Sequence, residues 1–499
     1  MYFKQKHQAK NIGKKSLYAY LITAGINLLK FCINIASVAV LARLLRPEDF
    51  GYVAMAATFI AMPKVVLGQH LSTGVVQSKT LGHSQLNSFF WLSMAITLIV
   101  WVLSVFCAPI VAWFYTEANL TSITRIMALM ILFSGLSAIH LSLLSRTMQF
   151  GILSGVDLAA KALSKVVAVI LALWGGGYWA LVAMPVSYEG IKMVLIWWFC
   201  RFRPGRFDHF DMGLVKVGTV WSGNAIFRSF VSELDKIVIG KFLGSSALGF
   251  YTRGFNLGEM PGKFIAWPLN SIAVSGLSRL QDDVVKFKRY FLLLSELFLF
   301  VFTPVLMVLY LSSESIVLLV LGDKWVNAIP VFQGLLPFFL AKNLMRPIGW
   351  FQTSTFHSGK RVNKIAYLAL INNSAIVLGI AVGVWWGIVG IAITMSLFSL
   401  VSFLICALIV FNGEIIEALD YFKSFWKSTL SACVVICIFN LQYFRFDGGH
   451  IKIILLNGLI SSLIYLLVFL CLPNGKKALF DAMITVNKML NRKSNTAAR

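Results

Sequence analysis

Ionisable side chains stand inside the long apolar stretches of this sequence, where a charge is expensive and a functional reason for it is expected. In the first stretch Asn27, Lys30 and Asn34 are spaced three and four apart, which puts them on one stripe of a helix with Lys30 in its middle. A later stretch carries Asp157, Lys161 and Lys165 at successive spacings of four. Asp157 can pair with Lys161, which leaves Lys165 without a partner in its own helix. Lys342 and Arg346 are also four apart and repel each other unless an acid from another helix or a bound anion lies opposite.

The most polar stretch holds Asn224, Arg228, Ser232, Glu233, Asp235 and Lys236. Here Glu233 and Lys236 are placed for an i,i+3 ion pair, whereas Arg228 has no acid three or four residues away. Arg253, Glu259 and Lys263 follow, with Pro261 positioned to free backbone groups. Within the apolar stretches Lys30, Lys64, Lys161, Lys165, Lys192, Arg228, Lys236, Arg253, Lys263, Lys342 and Arg346 outnumber Asp157, Glu189, Glu233, Asp235 and Glu259. Such a surplus suits an anion, because Lys and Arg give charge-assisted bonds to phosphate and carboxylate oxygens. Lys30, Lys161, Lys165, Arg228, Arg253, Lys342 and Arg346 are therefore the candidate substrate-binding residues. Glu233 and Asp235 are the candidates for ion coupling, since protonation or cation binding there changes the local charge.

The elements that must position these groups are membrane helices. A chain of 499 residues with 58% hydrophobic and 13% charged residues is too apolar for a soluble globular protein. Apolar runs lie near 17–45, 50–78, 86–114, 121–147, 151–174, 178–200, 213–243, 247–275, 287–312, 328–356, 363–384, 387–411, 425–441 and 452–472. They predict an all-α polytopic membrane protein of about 14 transmembrane helices. The run from Leu17 to Leu45 is too long for a secretory signal and reads as the first crossing. Lys and Arg divide roughly 25 to 7 between alternate sides, which places both termini in the cytoplasm and accounts for much of the net charge of +24 without a nucleic-acid partner.

An internal repeat relates Val40–Pro63 to Val238–Pro261 at an offset of about 198 residues, matching Leu45 with Leu243, Gly51 with Gly249 and Met62-Pro63 with Met260-Pro261. Six crossings separate the copies, so both enter the membrane in the same direction. The expected organisation is a six-helix lobe over 1–205, a second over 206–415, and two additional helices with a basic tail over 416–499. Parallel repeats of this kind predict two lobes enclosing a central cavity and alternating access to it.

Other chemistry leaves no trace. The sequence has no G-x-x-x-x-G-K-[ST], no H-E-x-x-H and no C-x-x-C, so neither ATP hydrolysis, a metal site nor any other cofactor is expected. Short predicted loops leave no room for a catalytic domain, and an enzyme is not expected.

Several segments resemble the polysaccharide-transporter, or Wzx-type flippase, family of the multidrug/oligosaccharidyl-lipid/polysaccharide exporter superfamily. They are Leu41–Gly51, Leu144–Phe150, Leu234–Gly244, Ala247–Tyr251, Ser278–Asp283 and Leu321–Trp325, and the resemblance runs over about 17–365. It implies a bacterial inner-membrane flippase that moves undecaprenyl-diphosphate-linked oligosaccharide repeat units from the cytoplasmic to the periplasmic leaflet, for colanic-acid-like exopolysaccharide or for O-antigen. Membrane lipids, a coupling proton or sodium ion and polysaccharide polymerase or export components are the further partners it implies. Two departures from the family pattern are Glu233, where relatives tend to have Asn, and Ser275-Gly276, where they often have Phe-Pro. The competing readings are an ion-coupled exporter of another amphiphile and a non-transporting polysaccharide-assembly membrane protein.

Overall fold

The computed structural model describes residues 12–68, 82–206, 212–355, 360–441, 448–473 and 475–476. Among these the protein is helical throughout, with no strand. The helices are α1 (Ile12–Leu44), α2 (Pro47–Gly68), α3 (His83–Tyr115), α4 (Asn119–Met127), α5 (Leu129–Arg146), α6 (Phe150–Leu173), α7 (Tyr178–Phe199) and α8 (Met212–Ser278). They continue with α9 (Val284–Leu311), α10 (Ser313–Val320), α11 (Ile329–Ser354), α12 (Lys360–Gly383), α13 (Gly387–Phe411), α14 (Ala418–Asn440) and α15 (His450–Cys471).

Each of the fourteen apolar runs overlaps one of these elements, with 69–78 of the second run outside the described residues and two local differences elsewhere. The fourth is divided at Ala128 into α4 and α5. The seventh and eighth are joined in α8, which breaks only at Gly244, where φ is 85° and ψ 179°. That backbone is open to glycine at little cost. Among the described residues nine spans are long and apolar enough to cross a membrane by composition alone. The helix α6 is outside that set because Asp157, Lys161 and Lys165 fall within it.

The chain forms two compact units, Met1–Gly249 and Phe250–Arg499, so the first part of α8 belongs to one and the rest to the other. In the first unit, α3, α5 and α7 bury Phe89, Phe90, Ile139, Leu143 and Ile196 in one apolar cluster. A short turn joins α6 to α7, with Gly175 and Gly177 at φ 82° and 52°, where the Gly175-Gly176-Gly177 run predicts one.

The copies of the repeat touch within this unit. A Cβ on Gly51 would strike the carbonyl of Ser245, and a Cβ on Gly249 would strike the carbonyl of Pro47. Between these crossings Ser246 Oγ donates to Glu48 Oε1 at 3.1 Å, and these two residues are 198 positions apart. Equivalent positions therefore meet each other, the sign of a local pseudo-twofold relation.

In the second unit α8 and α11 pack closely. Gly254, Gly258 and Gly262 line the α8 side of this contact, where added Cβ atoms would meet Phe332, Phe339 and Asn343. Pro337 interrupts the α11 ladder, and Ser396 of α13 enters it: its Oγ donates to Gly334 O at 2.6 Å and accepts from Phe338 N at 3.1 Å. The late helix α14 is tied to α11 by fully buried Tyr421, whose hydroxyl donates to Leu344 O at 2.5 Å. At the start of α9, Asp283 accepts from Lys286 N at 3.1 Å, and the Lys286 ammonium beside it holds its carboxyl below the ordinary 3.8.

Candidate functional site

In the first unit the candidate site is assembled from α1, α2, α6 and α7. The Asp157 carboxylate of α6 is its centre. Its Oδ2 lies 2.5 Å from Lys30 Nζ of α1 and 3.0 Å from Lys161 Nζ one turn along α6. From α7, Tyr188 Oη donates to Asp157 Oδ1 at 2.6 Å. Three helices thus converge on one carboxylate, and each bond is charge-assisted.

Around this node the charge does not balance. Glu189 pairs with Lys64 of α2 and lies 3.9 Å from Lys192. Lys192 and Lys161 also stand over the Tyr188 ring, at 5.4 and 6.0 Å from its centroid. Lys165, for which α6 offers no acid, donates to Asn34 Oδ1 at 2.8 Å. Lys30, Lys64, Lys161 and Lys192 thus share two carboxylates, and Lys165 adds a fifth positive charge held by the Asn34 amide. The Lys30 side chain is 15% exposed and Lys161 42%, so the group is desolvated at one end and open at the other. A partly desolvated cluster with surplus ammonium groups can take an anion without first losing all of its water.

Nearby in the same unit Lys236 Nζ lies 2.6 Å from Glu233 Oε2, closing the i,i+3 pair anticipated from spacing. Thr58 Oγ1 of α2 is 3.4 Å from the same Glu233 oxygen. Asp235 is buried and accepts from Lys236 N at 2.9 Å. Arg228 stands on α8 at the repeat offset from Lys30, but its side chain lies outside the described residues.

The second unit has a parallel arrangement. Glu259 of α8 receives Lys342 of α11 at 2.7 Å and Lys263 of its own helix at 2.5 Å. Lys342 also stands 5.8 and 5.9 Å from the Phe255 and Phe338 ring centroids. The repulsion between Lys342 and Arg346 is thus met by an acid from another helix on one side. On the other, Arg346 Nε donates to buried Asn343 Oδ1 at 2.6 Å. Arg253 belongs to α8 of this unit, two residues after Tyr251, whose hydroxyl reaches Met395 Sδ at 3.5 Å.

Three contributors escaped reading by spacing. Tyr188 and Asn343 are uncharged and gain their roles from other side chains. The third is the stripe Gly254, Gly258 and Gly262, a G-x-x-x-G-x-x-x-G pattern visible in the sequence as a signal of close helix approach.

A multi-pass helical bundle with lysine clusters built around shared carboxylates is an all-α polytopic membrane protein in fold class. The chain belongs to the polysaccharide biosynthesis protein family, which matches residues 40–330, and so to the family that its motifs resemble. It is similar to the succinoglycan biosynthesis transport protein ExoT of Rhizobium meliloti, at 26% identity over 76% of this chain and 72% of that protein. The lipopolysaccharide biosynthesis protein WzxC of Escherichia coli is 22% identical over 68% of each chain. In fold it is similar to the lipid II flippase MurJ in an inward closed conformation, with a TM-score of 0.70, 16% identity and coverage of 90% of this chain and 98% of that one. The two-unit, all-helical membrane architecture is therefore that of a known flippase fold.

Proposed function

We propose that the protein is a flippase for undecaprenyl-diphosphate-linked oligosaccharide repeat units, carrying them by alternating access from the cytoplasmic to the periplasmic leaflet of a bacterial inner membrane. The observation that carries this reading is the cluster in which four lysines share Asp157 and Glu189 while Lys165, held by the Asn34 amide, adds a fifth positive charge. A diphosphate presents several oxygens to such a group, while a polyprenyl chain can remain in lipid. The family membership and the transport and lipopolysaccharide names of ExoT and WzxC support the same direction.

In this reading Lys30, Lys161 and Lys165 engage the anionic head first, with Arg228, Arg253, Lys342 and Arg346 contributing along its path. Two repeats, 1–205 and 206–415, would carry the motion, with 416–499 appended and both termini cytoplasmic. Glu233, which faces Lys236 and Thr58, and Asp235 are the acids through which a proton or sodium gradient would act.

The test is flipping by the purified full chain in liposomes with fluorescent undecaprenyl-diphosphate oligosaccharide, read as protection from a membrane-impermeant quencher. Protein-dependent flipping is expected, slowed about tenfold or more in Lys30→Gln and Lys161→Gln, since each removes a charge-assisted contact. A folded protein that moves no such lipid under any imposed gradient would overturn the proposal.

A further inference from the structure

Beyond the Glu259 node, the α8–α11 seam of the second unit opens into a cavity of about 570 Å³ lined by Asn270, Val274, Ser275, Arg346, Gly349, Trp350 and Thr353. On α11 the residues Lys342, Arg346, Gly349, Trp350 and Thr353 follow one another at spacings of one, three and four. They form one face that leads from the ion pair to the cavity. The volume is that of a small-molecule site.

Its polar groups are held in place by neighbours. Arg346 is anchored through Nε to Asn343, which itself donates to Phe339 O at 2.8 Å. That leaves the terminal guanidinium nitrogens as a fork of donors on a fixed stem. Trp350 Nε1 donates to Asn270 Oδ1 at 2.8 Å, which fixes the indole in the wall and keeps the Asn270 amide NH₂ as a donor. Thr353 Oγ1 donates to Gly349 O at 2.8 Å, and Ser275 Oγ to Ile272 O at 3.3 Å. Each hydroxyl proton is thus committed to the backbone, and the lone pairs remain to accept.

The cavity therefore combines a guanidinium fork, an amide donor and two hydroxyl acceptors, with the buried Trp350 indole behind them. A simple phosphate would use the donors and leave the two hydroxyl acceptors without a role. A neutral sugar would leave the guanidinium to share Glu259, which Lys342 and Lys263 already hold. We propose that this cavity is a subsite for an acidic pyranose, a sugar ring whose carboxylate meets Arg346 while its hydroxyl groups donate to Ser275 and Thr353. The assignment rests on the flippase reading above, in which the glycan of the transported lipid supplies that sugar.

Binding separates the two ideas. Saturation-transfer NMR on the purified full chain would compare D-glucuronate, D-glucose and inorganic phosphate, the last by competition. Glucuronate is expected to bind better than glucose and to resist displacement by phosphate at equal concentration. The affinity should fall about tenfold in Arg346→Gln and about fivefold in Thr353→Val, two variants checked for native helix content. No binding of glucuronate, equal binding of glucose, displacement by phosphate, or binding untouched by both Arg346→Gln and Thr353→Val would each overturn the subsite. A chain that flips lipid-linked glycan but fails this test loses only the subsite, and one that binds glucuronate yet flips nothing loses only the transport reading.

Discussion

Asp157 in the first unit and Glu259 in the second each hold two lysines, but they organise their surroundings differently. Asp157 draws Lys30 from α1, Lys161 from α6 and a phenol from α7, so one carboxylate ties three helices together. Glu259 joins only α8 to α11, and its second lysine, Lys263, is 66% exposed. Closeness of α8 and α11 is supplied by Gly254, Gly258 and Gly262 instead of by charge. The first node is therefore a junction in which ion pairs set helix geometry, and the second is a polar decoration on a seam already set by shape. This difference teaches where charge can be spared for a ligand: the second unit can leave Arg346 to line a cavity because packing holds its helices together.

The sharpest way to break the comparison is to neutralise both carboxylates. Losing one partner of a buried pair costs about 3–5 kcal/mol. With a quarter of the Asp157 side chain exposed, Asp157→Asn is expected to destabilise the detergent-solubilised protein by about 2 kcal/mol. Glu259→Gln, whose Lys263 partner is already in solvent, should cost about 1 kcal/mol. Equal losses in denaturation midpoint, or the reverse order, would remove the distinction.

Packing in the second unit can be perturbed alone. In Gly258→Ala the new methyl meets the ring of Phe339, and repacking should cost about 1–2 kcal/mol. A cysteine cross-link between positions 259 and 342 should then form more slowly, with no change for a pair at 30 and 157. Loss of both cross-links would mean that the seam is not independent. The smallest effect is expected of Tyr188→Phe, which keeps the ring beneath Lys192 but removes one donor to Asp157, at about 1 kcal/mol. A neutral result there would reduce the three-helix junction to a two-helix one.

Much of this was legible in the chain before its folding. The apolar runs located the helices, because a bilayer fixes the length and composition of a crossing. The Asp157–Lys161 and Glu233–Lys236 pairs followed from helical spacing. Lys165 was recognised as lacking an acid in its own helix, but its partner Asn34 is 131 residues away and no local rule reaches it. Lys30, Tyr188 and Asn343 acquire their partners only when separate helices or buried contacts are assembled. The short α10 was missed because eight residues are too few to register as a crossing.

The crossing at Gly51 and Gly249 has a consequence in time. Its two halves are 198 residues apart, as the Glu48–Ser246 contact marks. At about 5–20 residues per second, synthesis needs about 10–40 s to deliver the second half after the first. For that interval the start of α2 waits in the membrane without the backbone surface it is shaped to meet, so its glycine gap must be shielded by lipid or by the insertion machinery until its counterpart arrives.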